Sequence, residues 1–447
     1  MGTRRRRVRR YPDGLFNVEI TSLNHNGQGV GRLDNRVVFI DNALPGEQVE
    51  FQYTLRQKHH DEGVATQILN PSKDRVLPRC EFYAHCGGCR LQHLAPEAQI
   101  QFKQQQLAND YEHIGLLNLD KTQWVPPLHA TSWHYRTKAR LGVKRVAKKN
   151  KVLVGFREKN SPFITDMTYC DVLDQRVAEL IAPLQTLIAA LSIHDQIPQI
   201  ELAAADQVCL IFRILAPLTE PDQQQLMHFA RQHNILLKAQ PKGPASIYNL
   251  WPREQPLLHY PVSELNIEFA VNDFTQVNQE INQQMVKQAI DWLALDAQDK
   301  VLDLFCGLGN FTLPVARQAG QVTGVEGDQA LVDKAVANAR LNQITNVEFV
   351  VDDLFTTTTQ TQWYKDFKQA GWNKVLLDPP RSGAKEIIPL IARHQPERIV
   401  YVSCNPATLA RDAGLLVNAG YKLHQTGVMD MFPHTAHVES MALFVRS

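Results

Sequence analysis

Ile399-Val400-Tyr401-Val402 reads as a buried strand, and it runs directly into Ser403-Cys404-Asn405-Pro406. A thiol at a strand end is a candidate nucleophile. Some twenty residues upstream a second apolar run, Val375-Leu376-Leu377, ends in Asp378-Pro379-Pro380-Arg381. Two strands therefore deliver a thiol and a carboxylate to one edge, and in an open α/β sheet that edge is where ligands bind.

The elements that must position these groups form a regular alternation. A helix is expected from Val277 to Leu295, with Ile281, Met285, Ala289 and Trp292 on its apolar face. Strands follow at Lys300 to Leu304, Gln321 to Val325, Val347 to Val351, Lys374 to Leu377 and Arg398 to Val402, with room for helices between them, which predicts a mostly parallel sheet. The first strand opens into Asp303-Leu304-Phe305-Cys306-Gly307-Leu308-Gly309-Asn310, whose glycines let a ligand approach the backbone. Glu326, seventeen residues beyond Gly309, ends the second strand, where an acid can hold the ribose hydroxyls of an adenosine cofactor. The loop lacks the third glycine of a pyrophosphate-binding G-x-G-x-x-G, so S-adenosylmethionine suits it better than a nicotinamide dinucleotide. Asp352 and Asp353 at the third strand end lie in the position for an adenine, and Cys306 reads as structural.

Upstream, residues 15–69 alternate short β-rich runs with glycine turns, the pattern of a small barrel, and Pro71 to Pro78 reads as a linker. Pro96 to about Ile114 is a glutamine-rich helix, and the stretch to Leu265 mixes strands and helices. Cys80, Cys86 and Cys89 form C-x5-C-x2-C, with Cys170 far downstream, and four thiolates would complete a tetrahedral site. Zinc and an iron–sulfur cluster both use such sets, and the spacing alone leaves the two open. Cys209 lies in an apolar run and reads as core.

With 447 residues, 44% of them hydrophobic, the chain has material for roughly two to four domains. No apolar stretch approaches a membrane helix and no signal-peptide core is present, so a soluble cytoplasmic protein is expected, and seven cysteines do not suggest a secreted disulfide framework. The net charge of +1 hides two basic regions, Arg4 to Arg10 and Arg136 to Lys159, which point to a polyanionic partner.

Together these motifs resemble the RNA uracil-C5 methyltransferases across almost the whole chain. The resemblance rests on Phe274-Thr275-Gln276-Val277-Asn278, the Asp303 to Asn310 loop, Asp378-Pro379-Pro380-Arg381, Ser403-Cys404-Asn405-Pro406 and Phe432-Pro433-His434-Thr435-Ala436-His437-Val438-Glu439. It implies an α/β protein in three parts. Residues 12–70 would be an OB-like TRAM β-barrel that binds RNA, 71–265 a central α+β iron–sulfur domain, and 266–447 a Rossmann-like class I S-adenosylmethionine methyltransferase domain. Cys80, Cys86, Cys89 and Cys170 resemble the ligands of the family's [4Fe–4S] cluster. Having both barrel and cluster, the chain is most similar to the members that act on 23S rRNA; nothing marks an obligate protein partner or a membrane partner.

The resemblance also implies the roles. Cys404 would add to C6 of uracil to make C5 nucleophilic, and Glu439 would remove the C5 proton. Gln276, Phe305, Asn310, Glu326, Asp353 and Asp378 would contact the cofactor, with Asp378 on the uracil edge or the sulfonium end, and Phe274 would stack on the base. Such attack needs an exposed base, hence single-stranded RNA or a flipped nucleotide. Arg381, where amino-group methyltransferases carry a stacking aromatic, argues against that class. The alternatives are a non-catalytic RNA-binding iron–sulfur protein, a methyltransferase acting on another RNA or on two rRNA uridines, and a DNA cytosine-C5 enzyme.

Overall fold

Strands whose apolar residues alternate must pair until one face is covered, and the N-terminal strands do so by closing on themselves. The computed structural model describes residues 13–446; the arginine run at positions 4–10 lies outside them. β1 (Phe16–Leu23), β2 (Gly29–Leu33), β3 (Arg36–Asp41), β4 (Gln48–Arg56) and β5 (His60–Asn70) form a closed barrel in the order β1-β2-β3-β5-β4. Val18, Ile20, Val38, Ile40, Val49 and Phe51 fill it, so no apolar edge is left for aggregation.

Contacts divide the chain into two compact units. The first is Met1–Gln106 with Phe432–His437. It contains the barrel, the cysteine-bearing turns and the first part of α1 (Pro96–His113). The linker is fixed by Arg75, whose guanidinium grips both oxygens of the fully buried Glu47 at 2.5 and 2.8 Å. Residues 432–437 join this unit by backbone bonds: Arg90 and Leu91 donate to the His434 carbonyl, and His434 N donates to Gln99 Oε1 at 2.8 Å.

The second unit, Leu107–Met431 with Val438–Ser447, holds two large sheets. One uses β7 (Lys138–Val146), β8 (Lys151–Gly155), β9 (Gln199–Ala204), β10 (Val208–Arg213), β11 (Leu236–Gln240) and β12 (Tyr248–Trp251), in the order β12-β11-β10-β9-β7-β8. It packs with α2 (Gln175–Ala178), α3 (Ile181–Ala190) and α4 (Glu220–Gln232). Cys209 is buried in β10. A hairpin of β13 (Leu258–Val262) and β14 (Leu265–Phe269) leads to α5 (Gln279–Leu293), which buries Ile281, Met285, Ala289 and Trp292 and is capped by Asn278.

The other sheet has eight strands, in the order β17-β16-β15-β18-β19-β21-β20-β6. β15 (Lys300–Leu304), β16 (Gln321–Glu326), β17 (Val347–Val351), β18 (Lys374–Leu377) and β19 (Arg398–Ser403) run parallel, as expected from their continuous apolar character. They alternate with α6 (Thr312–Ala316), α7 (Gln329–Leu341), α8 (Gln362–Ala370), α9 (Ile388–Ala392) and α10 (Pro406–Asn418). β20 (Tyr421–Met429) and β21 (Glu439–Arg446) return antiparallel, and the short β6 (Gln123–Trp124) adds the last edge. Strand order reverses between β15 and β18, and the crevice there is the ligand position of an open α/β sheet.

Candidate active site

Three loops meet at the carboxyl ends of the central strands. After β15 the chain turns through Phe305, Gly307 and Gly309 at φ of 65°, 54° and 90°. A Cβ on Gly307 would meet nothing within 4 Å, so the loop leaves an open cradle over that backbone. Asp303 lies beneath it at 1% exposure. Its Oδ2 accepts from Thr312 Oγ1 at 2.6 Å, while Oδ1 is buried with no partner among the described residues. Burial pushes this carboxyl up to about 7, and the nearby charges of Asp378 and Glu326 add to the shift. An orphaned buried oxygen under an open backbone cradle suits a ligand that brings a donor.

Glu326 accepts from the N–H groups of Gly307, Gly327 and Asp328 at 3.1, 2.8 and 3.2 Å, which aims it at the cradle's rim. The Phe305 ring lies 5.8 Å from that of Phe355. Of the acidic pair after β17, Asp352 is committed to Trp363 Nε1 and Thr357 Oγ1, leaving the exposed Asp353 as the more available carboxylate. Asn310 is already engaged: it exchanges two amide bonds with buried Asn282 at 2.9 and 3.0 Å and accepts from Tyr260. It would have to give up one of these to reach a ligand. Cys306 is buried, and its thiol stays protonated.

At the end of β18 the Asp378 N–H donates to the carbonyl of Leu304, the last residue of β15, and burial pushes the Asp378 carboxyl up to about 7. The Asp-Pro-Pro-Arg turn is tied to the loop after β19. Asn405 Nδ2 and Thr408 Oγ1 both donate to the Arg381 carbonyl. Fully buried Asp412 of α10 accepts from Ala384 N and Tyr401 Oη, both at 2.7 Å, and from Arg411 Nε at 2.8 Å. Asn405 also caps α10, its Oδ1 accepting from Ala407 N at 3.2 Å, and these bonds anchor the helix start beside the half-exposed Cys404.

Glu439 reaches the same place by strand register. β21 pairs with β19 antiparallel through Val402↔Met441 and Ser403↔Ser440, so Cys404 and Glu439 are the next residues along the two strands, close enough for the Glu439 charge to act on the thiol. Burial pushes the Cys404 thiol up to about 11, with the negative charges of Glu439 and Asp378 next in effect and Arg381 opposing them.

The loop before α5 supplies the remaining groups. Phe274 is 75% exposed, whereas Asp273 and Thr275 beside it are buried, so the ring is presented outward from an anchored backbone. Thr137 donates through both N and Oγ1 to the Val277 carbonyl at 2.9 Å, and Lys138 Nζ donates to the Asp273 carbonyl. Both grips come from the start of β7 in the other sheet, and Gln276 lies between them. Burial lowers the Lys138 ammonium to about 8, against the pull of Asp273. Neither grip was anticipated; the only trace in the sequence was that the basic stretch from Arg136 opens the middle region.

The cysteine set is divided. Cys80, Cys86 and Cys89 share one turn-rich segment of the first unit, where Gly88 N–H donates to Cys86 Sγ at 3.4 Å. Cys170 belongs to the second unit. No disulfide joins any of these cysteines, and no group of three or more His, Cys, Asp or Glu is gathered into an ion site among the described residues. Nor is any described helix long and apolar enough to cross a membrane.

Comparison with known proteins agrees with this architecture. The TRAM domain profile matches residues 10–52, on the N-terminal barrel. A protein of Hahella chejuensis named 23S rRNA (uracil(1939)-C(5))-methyltransferase RlmD is 47% identical over 446 residues, spanning 99% of this chain and 100% of its own. One of the same name from Alkalilimnicola ehrlichii is 48% identical over 450 residues, spanning 100% and 99%. The crystal structure of Pyrococcus abyssi tRNA (uracil-54, C5)-methyltransferase with S-adenosyl-L-homocysteine shares the fold, with a TM-score of 0.73 at 24% identity over 96% of this chain and 100% of that one. The profile described as tRNA (Uracil-5-)-methyltransferase matches residues 103–447, taking in every loop at this sheet edge, and the chain belongs to the RNA (uracil-C5)-methyltransferase family.

Proposed function

We propose that this protein methylates C5 of a uridine in 23S rRNA, with S-adenosylmethionine as methyl donor and Cys404 as nucleophile. The observation that carries the chemistry is the β19–β21 register, which brings a thiol and a carboxylate to one point beside Asp378. The full-length likeness to two proteins named for that rRNA supports the target.

C5 of uracil is too weak a nucleophile to take a methyl group unaided. The Cys404 thiolate adds to C6, and the electron pair moves through C5 onto the carbonyl oxygen as an enolate. Near neutrality a fraction of Asp378 is protonated, and it offers that developing oxygen a hydrogen bond. Bound S-adenosylmethionine supplies an electrophilic methyl on a sulfonium. C5 attacks and takes the methyl, the methyl–sulfur bond breaking with its electron pair left on sulfur as a neutral thioether; Glu439 then removes the C5 proton, and the pair left behind re-forms the double bond as the sulfur–C6 bond breaks. Phe274 stacks on the extruded base, and Gln276 beside it meets the cofactor. Phe305, Glu326 and Asp353 line the cofactor's adenosine end, with Asn310 bracing the same loop.

The cysteines fit a thiolate-bound group. All four donors are soft, and the Gly88 N–H to Cys86 sulfur bond is of the kind that stabilises a ligating thiolate. We infer that Cys80, Cys86, Cys89 and Cys170 hold a [4Fe–4S] cluster in a central domain of residues 71–265, between a barrel of 12–70 and a methyltransferase domain of 266–447, and that the enzyme works in the cytoplasm. Anaerobically purified protein should contain about four irons per chain; stoichiometric zinc in a colourless protein would refute the cluster.

The test of function is mass-spectrometric mapping of 5-methyluridine in rRNA and tRNA from cells with and without the gene. Loss of one 23S rRNA site is expected. Loss confined to tRNA sinks the rRNA target, and no loss in any RNA sinks catalysis.

A further inference from the structure

The basic stretch is not one uniform solvated face. Lys149 and Lys151 both reach Asp166, at 3.3 and 2.5 Å, and Arg140 pairs with Glu201. Lys144, Arg145 and Lys148, at and near the tip of the β7–β8 hairpin, form no ion pair among the described residues. Over the same hairpin lies a second turn. Its stem is the Arg157↔Ile164 bridge, with Glu158 N donating to the Phe163 carbonyl and Thr165 N to that of Phe156, both at 2.9 Å. Ile164 packs against the α-carbon side of Gly142, where any larger residue would collide with it. Gly142 and Lys144 share one face of β7, because successive side chains alternate. The turn therefore sits on the face that carries Lys144, and at its crown Phe163 is 68% exposed.

A lone exposed phenylalanine is ordinary. An exposed ring held on a turn over a hairpin that carries Lys144 on the same face, with Arg145 on the other face and Lys148 at the tip, is a different object, since it offers a π-face and phosphate contacts together. Those are the two groups a single-stranded nucleic acid needs, whereas an acidic peptide would use only the charges. β7 also fixes the distance. It begins at Lys138, which grips the Phe274 loop, and Lys144 lies six residues on, roughly 20 Å away at strand rise.

We propose that this surface is a docking site for a single-stranded stretch of the substrate RNA adjoining the target uridine, with backbone phosphates on Lys144, Arg145 and Lys148 and one base stacked on Phe163. This rests on the RNA methyltransferase reading above and adds where the strand leaves the active site.

The experiment measures binding of full-length protein, across a salt series, to a 23S rRNA fragment and to a short uridine homopolymer. Replacing Lys144, Arg145 and Lys148 together by alanine should lower the slope of log affinity against log salt by about 2. Phe163→Ala and Phe163→Leu should each weaken binding about tenfold, and Phe163→Trp should preserve it. Single-turnover methylation at saturating RNA should stay within about twofold of wild type in every variant, which shows that fold and chemistry survive. An unchanged salt slope in the triple variant, or wild-type affinity in Phe163→Leu, overturns the proposal and leaves the surface to an acidic protein partner or to solvent. If wild type does not methylate the 23S fragment, the target reading fails separately, and the homopolymer arm still decides whether this surface binds RNA.

Discussion

The loop after β15 and the loop after β19 lie two strands apart on one sheet edge, and they are built by opposite means. The first is shaped by backbone: left-handed residues at three alternate positions open a cradle above one buried, half-satisfied carboxyl. The second is shaped by side chains: Ser403, Asn405, Thr408 and Asp412 tie down the start of α10, and Cys404, the proposed nucleophile, follows the last paired residues of β19 and β21 beside Glu439. A cofactor needs a fitted surface, so glycines and φ angles suffice. A nucleophile needs one atom held at one point, so it needs a scaffold of hydrogen bonds.

The strongest way to break this contrast is at the point atoms. Cys404→Ala should lower methylation on the order of a thousandfold or more and abolish any protein–RNA adduct. Glu439→Gln should also stop turnover but accumulate a denaturant-resistant adduct, because addition proceeds and elimination stalls. Gel analysis with ordinary and 5-fluorouridine RNA separates the two; an adduct in Cys404→Ala would place the nucleophile elsewhere.

Removing the scaffold rather than the atom should act on stability. Asp412→Ala leaves the Tyr401 hydroxyl, the Ala384 N–H and Arg411 without their shared acceptor, at a cost of about 2–4 kcal/mol. Urea titration would show it as a lower midpoint at unchanged slope, and a variant as stable as wild type would remove Asp412 from the scaffold.

The cradle should respond in the reverse sense. Asp303 titrates near 7 in the fold, above its unfolded range, so the stability it contributes is full below about pH 4 and is lost as pH rises through 7. Asp303→Asn cannot ionise. It should raise stability at pH 8 by about 1–2 kcal/mol while weakening cofactor affinity about tenfold. Thermal melts at pH 5 and pH 8 against calorimetric binding test both halves, and equal stabilisation at the two pH values would contradict the assignment.

The smallest effect is expected at the grip on the Phe274 loop. Lys138 loses its proton near pH 8 in the folded protein, so its charge-assisted bond to the Asp273 carbonyl weakens above that pH. KM for S-adenosylmethionine should rise about two- to fivefold between pH 7 and 9 in wild type and be uniformly high in Lys138→Met. A wild-type pH profile retained in that variant would show that the grip is only structural.

What could be read from the sequence follows the same division. The five parallel strands, the glycine loop and Glu326 were legible because buried parallel strands are continuous apolar runs and their loops carry φ-permissive residues. α5 fell within two residues of its expected ends because Asn278 caps it. The partnership of Cys404 and Glu439 was readable only through family motifs, since an antiparallel return over a non-local connection leaves no periodic signal. Asp412 and Lys138 were missed for a related reason: a buried acid on an amphipathic helix and a lysine in a basic stretch look like surface residues until their distant carbonyl, amide and hydroxyl partners are known.

The six residues from Phe432 to His437 have a consequence in time. His434 bonds Gln99 across 335 positions of chain. At a synthesis rate of about 5–20 residues per second, the ribosome needs on the order of 20–70 seconds to cover that separation. The barrel strands can pair early, yet their unit waits for this last contribution, and Glu439 emerges two residues later. A nascent chain therefore completes its N-terminal unit and acquires its proposed catalytic base almost together, so a prematurely released fragment has neither.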